Sequence, residues 1–196
     1  MEIENLFAGR HMDMAALEES DAPIIARWFD DPEFVRRFEA VPARPRATAE
    51  IAGQILTARD SQDDYLFGFR LRGINALVGY GALDGINWRN RVAWLAVALS
   101  SDYWGRGLGR EAVRLMLSYA FGELELHRVQ LTVFASNGPA ISMYEAVGFQ
   151  REGVYREFLQ RDGQRVDMLL MGMLAREWIE LAKKGRDCIP SGPDSQ

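Results

Sequence analysis

The segment at residues 101–112 has the composition of an anion-binding loop. It combines three glycines with two arginines, at Gly105, Gly107, Gly109, Arg106 and Arg110. Glycines leave backbone N–H groups uncovered, and a helix that follows directly supplies further N–H groups without internal partners. The helix dipole adds about half a positive charge at the same end. These features favour binding of a diphosphate, although a glycine-rich turn also occurs where a strand merely reverses into a helix.

The glycine spacing disfavours the two common nucleotide-binding sequences. Counted from Gly105, the last glycine of the dinucleotide pattern G-x-G-x-x-G falls on Arg110. The second glycine of the triphosphate pattern G-x-x-x-x-G-K-[ST] also falls on Arg110, and no Lys-Ser or Lys-Thr follows. A nucleotide-binding protein therefore remains only as a weaker alternative.

Two motifs carry a resemblance to a known family. Residues 104–109 resemble the pyrophosphate loop of the GNAT superfamily of acetyl-CoA-dependent N-acetyltransferases, with Trp104 in place of the usual Gln or Arg. Residues 137–149 resemble the second motif of that superfamily, N-x-x-A, three residues, Tyr, then Gly-Phe. The resemblance extends over about residues 10–173, and within the superfamily residues 77–149 are most similar to the ribosomal-protein and spermidine acetyltransferases.

The resemblance implies acetyl-CoA as the cosubstrate and no metal. The pantetheine would pair with backbone groups of Val97 and Leu99, as an added strand does. Asn137 would hydrogen-bond the coenzyme, unless it serves only as a helix N-cap. The diphosphate would be held by a continuous run of residues, which comprises Arg106, Gly107, Leu108, Gly109 and Arg110.

Acyl transfer to an amine needs one group that accepts a proton and one that donates it. Tyr144 occupies the family's position for the general acid, and a phenol with an ordinary pKa of about 10 stays protonated at neutral pH. The alternative is a tyrosine that only packs its ring in the core. The base is less defined, because Trp94 stands where relatives often carry glutamate. Glu39 is our candidate for this role, with Asp84 or an ordered water as alternatives.

Four functions compete at this stage. The motifs favour an N-acetyltransferase in which a primary amine attacks acetyl-CoA directly within a ternary complex. Trp94 leaves open a catalytically silent acyl-CoA-binding sensor or interaction module. The others are the nucleotide-binding protein and an acyltransferase that acts on a hydroxyl or uses a longer acyl chain. No pattern identifies the acceptor, so a polyamine, a protein N-terminus and an amine-bearing antibiotic all remain open.

Hydrophobic periodicity predicts the elements that must position these residues. The eight apolar residues Val92–Leu99 indicate a central strand that is buried on both faces. Further strands are predicted at 65–71, 76–83, 128–135, 154–160 and 165–173, and helices after Asp21 and at 46–59, 107–121, 138–147 and 175–184. The strand–helix–strand unit at 92–135 forms a parallel crossover, whereas the other connections resemble hairpins. We therefore predict an α/β (α+β) fold with a mixed, mostly antiparallel sheet flanked by helices, similar to GNAT acyl-CoA N-acyltransferases.

The segments between these elements are interpreted as turns. Residues 84–90 are predicted to form a turn that follows the first hairpin. His11 is placed in the first strand and His127 in the turn before residue 129, and both histidines are interpreted as structural.

The length and composition indicate one globular domain. The chain has 196 residues, of which 48% are hydrophobic and 26% charged, and this composition excludes a disordered or collagen-like protein. We predict a single acetyltransferase domain at 1–184 and a flexible tail at 185–196, where Gly, Pro, Ser and Asp predominate. The single cysteine, Cys188, cannot form an internal disulfide. One cysteine and two histidines are also too few ligands for a Cys/His zinc site.

The charge and hydropathy patterns argue against nucleic-acid and membrane partners. A net charge of -5 is opposite to the basic surface of a nucleic-acid binder. No apolar run reaches the roughly 18 residues of a membrane span, and the acidic start differs from a secretory signal. We predict a cytoplasmic protein whose partners are acetyl-CoA and an amine. A homodimer, which is common among similar proteins, is compatible with the sequence.

Overall fold

A seven-stranded sheet forms the centre of the protein, in the order β1-β2-β3-β4-β5-β7-β6. The computed structural model describes residues 6–184, so the predicted flexible tail at 185–196 lies outside the described residues. The strands are β1 (Met12–Ala16), β2 (Tyr65–Leu71), β3 (Leu77–Asn87), β4 (Val92–Leu99), β5 (Arg128–Phe134), β6 (Gln150–Arg161) and β7 (Gln164–Leu174). The helices are α1 (Ala22–Trp28), α2 (Pro32–Phe38), α3 (Thr48–Asp60), α4 (Leu108–Ser118), α5 (Gly138–Val147) and α6 (Ala175–Lys183).

The pairing of β4 with β5 differs from every other pairing in the sheet. These two strands are parallel and are connected by α4, whereas the other neighbours are antiparallel. They pair at three positions, from Val92 opposite Arg128 to Trp94 opposite Gln130. Beyond Trp94, β4 pairs with β3 and β5 pairs with β7, so the two strands diverge and leave a gap in the sheet. The predicted mixed, mostly antiparallel sheet is confirmed.

Helices cover the sheet on both faces. Adjacent residues Leu77 and Val78 of β3 belong to different apolar clusters, as alternation along a strand requires. One cluster contains α4 and α5 residues, and α6 packs against it through Trp178 and Leu181. The other contains buried residues of α1, α2 and α3. The gap between β4 and β5 is thus framed by helices whose positions are fixed by two separate cores.

Three predicted elements are correct to the residue, two predictions are wrong, and one helix was missed. The predicted bounds of β2, β4 and α5 are those observed. However, β3 runs to Asn87, so Asp84 lies in a strand and not in a turn, because pairing with β4 extends a segment of low β propensity. The short helix α2 was not predicted. His11 precedes β1, which begins at Met12, and does not lie in it.

Candidate active site

A cavity of about 1250 Å³ occupies the gap between the diverging strands. Its walls are β4, the glycine-rich loop, the start of α4, the end of β5 and one side of α5. All eight residues predicted to bind the coenzyme line it, namely Val97, Leu99, Arg106, Gly107, Leu108, Gly109, Arg110 and Asn137. The volume exceeds that of a site for a small metabolite and suits a long ligand.

The backbone of β4 offers hydrogen-bonding groups to this cavity. The Ser100 N–H donates to the Val78 carbonyl at 2.9 Å, which sets the phase of the antiparallel ladder with β3. Because alternate residues of such a ladder bond to the same neighbour, Val97 and Leu99 direct their N–H and C=O groups away from β3 and into the gap. An extended ligand with amide groups could therefore pair with β4 as a strand does.

Trp104 connects the loop to β4 and to α2. Its indole Nε1–H donates to the Leu99 carbonyl at 2.8 Å. The guanidinium of Arg37, on α2, lies 4.8 Å from the centroid of the indole ring. Because Trp104 donates to the Leu99 carbonyl, that carbonyl already has a partner within the protein. Of the two Leu99 backbone groups, the N–H is the one that is left to bind a ligand in the cavity.

The glycine-rich loop has the backbone conformation that its sequence predicts. Gly105 and Gly107 have φ values of 73° and 79°, a left-handed conformation that side chains disfavour. Gly107 is the N-cap residue of α4 and supplies no side chain to the first N–H groups of the helix. A Cβ at either glycine would meet no atom within 4 Å, so the space beside them is open to a ligand. Together with Arg106, the loop forms an electropositive cradle.

Asn137 caps α5 with its side-chain oxygen and leaves its amide nitrogen available to a ligand. Its side-chain Oδ1 accepts a hydrogen bond from the Ala140 N–H at 3.3 Å and caps α5. The residue also lines the cavity, so its amide nitrogen is the part of the side chain that can contact a ligand there.

Tyr144 reaches the same cavity from α5. The residue is 8% exposed, and its ring packs edge-on against Phe149 at a centroid distance of 5.6 Å. Within residues 6–184, no group hydrogen-bonds its hydroxyl. Burial raises the pKa of Tyr144 to about 12, so the hydroxyl keeps its proton across the neutral range. The ring thus packs in the core while the residue lines the cavity.

The two candidate bases lie in different places. The Glu39 carboxylate accepts a hydrogen bond from Arg46 Nη2 at 2.6 Å, and Glu39 is not among the residues that line the cavity. Asp84 does line it. Asp84 is directly opposite Trp94 in the β3–β4 pair, so both side chains project from the same face of the sheet. The structure therefore presents the Asp84 carboxylate, and not that of Glu39, to the cavity.

The surroundings of Asp84 change its proton affinity. Although water reaches this side chain, its burial in the cleft raises the pKa to about 6, and the nearby negative charge of Asp64 acts in the same direction. Asp64 is held in place, because its carboxylate accepts hydrogen bonds from the Gly85 N–H at 2.7 Å and the Ser61 hydroxyl at 2.9 Å. A carboxylate with this pKa is ionised at pH 7 and is basic enough to take a proton from an amine.

Sequence reasoning missed lining residues on α2. Phe34, Arg37 and Phe38 all face the cavity. The signal was present, since Asp31 followed by Pro32 is an N-cap with proline in the first turn, and the Asp31 side chain accepts a hydrogen bond from the Glu33 N–H at 2.9 Å. The two residues that precede β1, Arg10 and His11, also line the cavity, and no local pattern predicts this.

The described part of the chain shows neither a metal cluster nor a membrane span. Over residues 6–184, no three His, Cys, Asp or Glu side chains are grouped so that they could hold a metal ion. No helix within the same residues is long and apolar enough to cross a membrane.

The relatives found by comparison with known proteins include several that are named as N-acetyltransferases. The "Uncharacterized N-acetyltransferase p20" of Bacillus licheniformis is 24% identical over 90% of this chain and 99% of its own. The "Putative ribosomal N-acetyltransferase YdaF" of Bacillus subtilis is 32% identical over 53% of this chain and 56% of its own. The crystal structure of spermidine N-acetyltransferase from Vibrio cholerae, in complex with CoA and spermine, superposes with a TM-score of 0.80 at 22% identity, covering 86% of this chain and 98% of that one.

This structural likeness confirms the predicted fold. A family model for the acetyltransferase (GNAT) domain matches residues 12–150, which include the glycine-rich loop, both diverging strands and the helix that carries Tyr144. The chain belongs to the GNAT family of acetyltransferases.

Proposed function

We propose that this chain transfers the acetyl group of acetyl-CoA to a primary amine within a ternary complex. The observation that carries the proposal is that one cavity contains the open edge of β4, the electropositive loop and Tyr144. An acetyl thioester on a long diphosphate-bearing carrier needs these three features. Membership of the acetyltransferase family supports the acetyl donor, and the relatives named as N-acetyltransferases support an amine acceptor.

The coenzyme is held mainly by backbone groups in this proposal. The N–H and C=O groups of Val97 and the N–H of Leu99 pair with the amides of the pantetheine. The N–H groups of residues 106–110 bind the diphosphate, and the side chains of Arg106 and Arg110 add positive charge. The Asn137 amide contributes one further donor. Because these contacts are equal in the ground and transition states, they lower KM and do not accelerate the chemical step.

Asp84 is the general base. An acceptor arrives as an ammonium ion and must lose a proton before its nitrogen can attack the acetyl carbon. Asp84 takes that proton, directly or through a water molecule, because its carboxylate is ionised at neutral pH and lies on the cavity wall. It thereby supplies, from the strand beside β4, the carboxylate that Trp94 replaces on β4 itself.

Tyr144 is the general acid. When the C–S bond breaks, the sulfur leaves as a thiolate, and the Tyr144 hydroxyl donates its proton to it. As the amide forms, the nitrogen loses its second proton, and this proton restores the Tyr144 hydroxyl. The products are an N-acetylated amine and free coenzyme A, and the proton held by Asp84 returns to solvent. Because the hydroxyl makes no hydrogen bond to a residue within 6–184, no internal contact competes with this transfer.

The surroundings of Asp84 also support a cationic acceptor. A smaller cavity of about 400 Å³ shares Asp84 with the main one and is lined by Glu50 and Asp64 as well. The Glu50 carboxylate is paired with Arg44 at 2.7 Å, so Asp64 and Asp84 are the carboxylates that attract an ammonium group and stabilise its approach to the base. This electrostatic argument applies equally to a polyamine, a protein N-terminus and an amine-bearing antibiotic.

The test is release of free thiol from acetyl-CoA in the presence of amines of these three classes. We expect release that depends on the amine, together with a mass increase of the amine by one acetyl group. A protein that binds coenzyme A tightly but acetylates none of them would instead be the silent acyl-CoA-binding module. The Arg89→Ala variant serves as a control, because Arg89 is exposed and lies outside the cavity lining.

A further inference from the structure

A group of basic side chains lines the main cavity in addition to the glycine-rich loop. Arg10 and His11, which precede β1, line the cavity together with Arg110 and Arg114, which lie one turn apart on α4. The Arg10 side chain is exposed, and no carboxylate within residues 6–184 pairs with it. Positive charge thus continues past the glycine-rich loop onto a segment that is distant in sequence.

Glu111 fixes the position of that segment. Its carboxylate accepts hydrogen bonds from the backbone N–H groups of His11 at 2.7 Å and Met12 at 3.2 Å. It also lies 2.8 Å from His11 Nδ1. The glutamate side chain is 13% exposed and also lines the cavity, but both of its oxygens are engaged by these partners. Glu111 therefore holds the segment against α4 and orients the imidazole, whose Nε2 remains on the far side of the ring.

Gly9 is the residue that makes this close approach feasible. A Cβ at Gly9 would overlap the Glu111 carboxylate and the Met12 carbonyl. The Gly9 N–H also donates to the Met12 carbonyl at 2.8 Å, which closes a tight turn. Arg10 therefore lies in a tight turn that packs against the Glu111 side chain.

We propose that Arg10 and His11 bind the 3′-phosphate of coenzyme A. This inference rests on the proposed function, because it concerns the same ligand. Coenzyme A carries, beyond its diphosphate, a phosphomonoester on the ribose, and such a group has a charge of about −1.5 to −2 at neutral pH. The loop at residues 105–109 is assigned to the diphosphate, so the other basic groups of the cavity wall, on the segment before β1 and on α4, are available to the ribose phosphate. A guanidinium presents paired donors that match phosphate oxygens.

The consequence is discrimination between coenzyme A and dephospho-CoA, which lacks only this phosphate. We expect calorimetry to show that the wild-type protein binds coenzyme A at least about tenfold more tightly than dephospho-CoA, as one or two charge-assisted hydrogen bonds would produce. Arg10→Ala should weaken binding of coenzyme A by about tenfold and leave binding of dephospho-CoA unchanged. The exposed Arg89→Ala variant should change neither affinity.

The same measurements separate this inference from the proposed function. Gly107→Val, in the diphosphate loop, should weaken both ligands by the same factor, because both carry the diphosphate. Equal wild-type affinities for the two ligands, or an Arg10→Ala variant that keeps the wild-type ratio, would overturn the 3′-phosphate assignment and leave the acetyltransferase proposal standing. A protein that binds neither ligand would overturn both.

Discussion

Replacing Asp84 by Asn tests the general base directly. The change removes the ionisable oxygen and keeps the shape of the side chain, so we expect kcat to fall by about 10² to 10⁴, the usual contribution of general acid–base catalysis. The fold should tolerate the change. Its environment raises the pKa of Asp84 to about 6, so the folded protein disfavours the charged form, and a neutral side chain leaves stability at pH 7 unchanged or higher.

The pKa gives the pH dependence of the wild-type enzyme. An active, ionised carboxylate with a pKa of about 6 is roughly nine-tenths populated at pH 7 and roughly one-tenth at pH 5. The ordinary aspartate pKa of about 3.9 would place the loss two pH units lower. We therefore expect the base to contribute about a tenfold fall in kcat/KM per pH unit below pH 6, in addition to the slope caused by protonation of the acceptor amine.

Asp64 supplies a matched control for this assignment. Its charge contributes to the raised pKa of Asp84, so Asp64→Asn should move the acidic limb of the profile to lower pH without abolishing activity. The assay is thiol release at saturating acetyl-CoA, with the amine varied at each pH between 4.5 and 9. If the Asp84→Asn enzyme keeps both wild-type turnover and the wild-type acidic limb, Asp84 is not the base. If Asp64→Asn leaves the limb in place, the assigned electrostatic cause is wrong.

Three further changes probe the remaining parts of the site. Tyr144→Phe should lower kcat at least about tenfold while calorimetric affinity for coenzyme A stays the same, since protonation of the thiolate occurs only along the reaction coordinate; full turnover would make the hydroxyl structural. Gly107→Val should weaken coenzyme A binding strongly, because valine disfavours a φ of 79° and fills the open space beside the loop; Gly109→Val should also weaken it, and unchanged affinity in both variants would refute the loop assignment. Arg106→Ala should raise the KM for acetyl-CoA with little change in kcat, and steady-state kinetics showing the opposite pattern would contradict a binding role.

The elements that line the cavity were predicted well from the sequence, because their signals are local. The eight apolar residues of β4 predict the strand at its observed bounds, and Asn137 with Pro139 defines the start of α5. The predicted burial of β4 on both faces is wrong at Trp94, which is 38% exposed. The left-handed glycines of the loop also follow from residue type alone. The family resemblance then identified which fold joins these pieces, and the comparisons confirmed it.

The sequence did not locate the carboxylate, because that position depends on pairing between strands. The sequence led us to favour Glu39 over Asp84, and the register that places Asp84 opposite Trp94, together with the cavity lining, favours Asp84 instead. The divergence of β4 from β5 is equally invisible in the sequence, since neither strand changes composition at the point where pairing ends. Arg10 lies at the cavity because its neighbour His11 contacts Glu111, a hundred positions away, and no periodicity encodes that contact.

The gap beyond Trp94 leaves β4 bonded on one side only, and this gives its amide protons two different environments. Those of Ala96 and Ala98 face β3, whereas those of Val97 and Leu99 face the cavity. In deuterated solvent the free protein should thus show alternating slow and fast exchange along a single strand. A ligand that occupies the place of the missing strand would slow the fast protons and leave the others as they were, so the alternation would disappear. Isotope exchange resolved to single residues can therefore record occupancy of the cavity even where no reaction takes place.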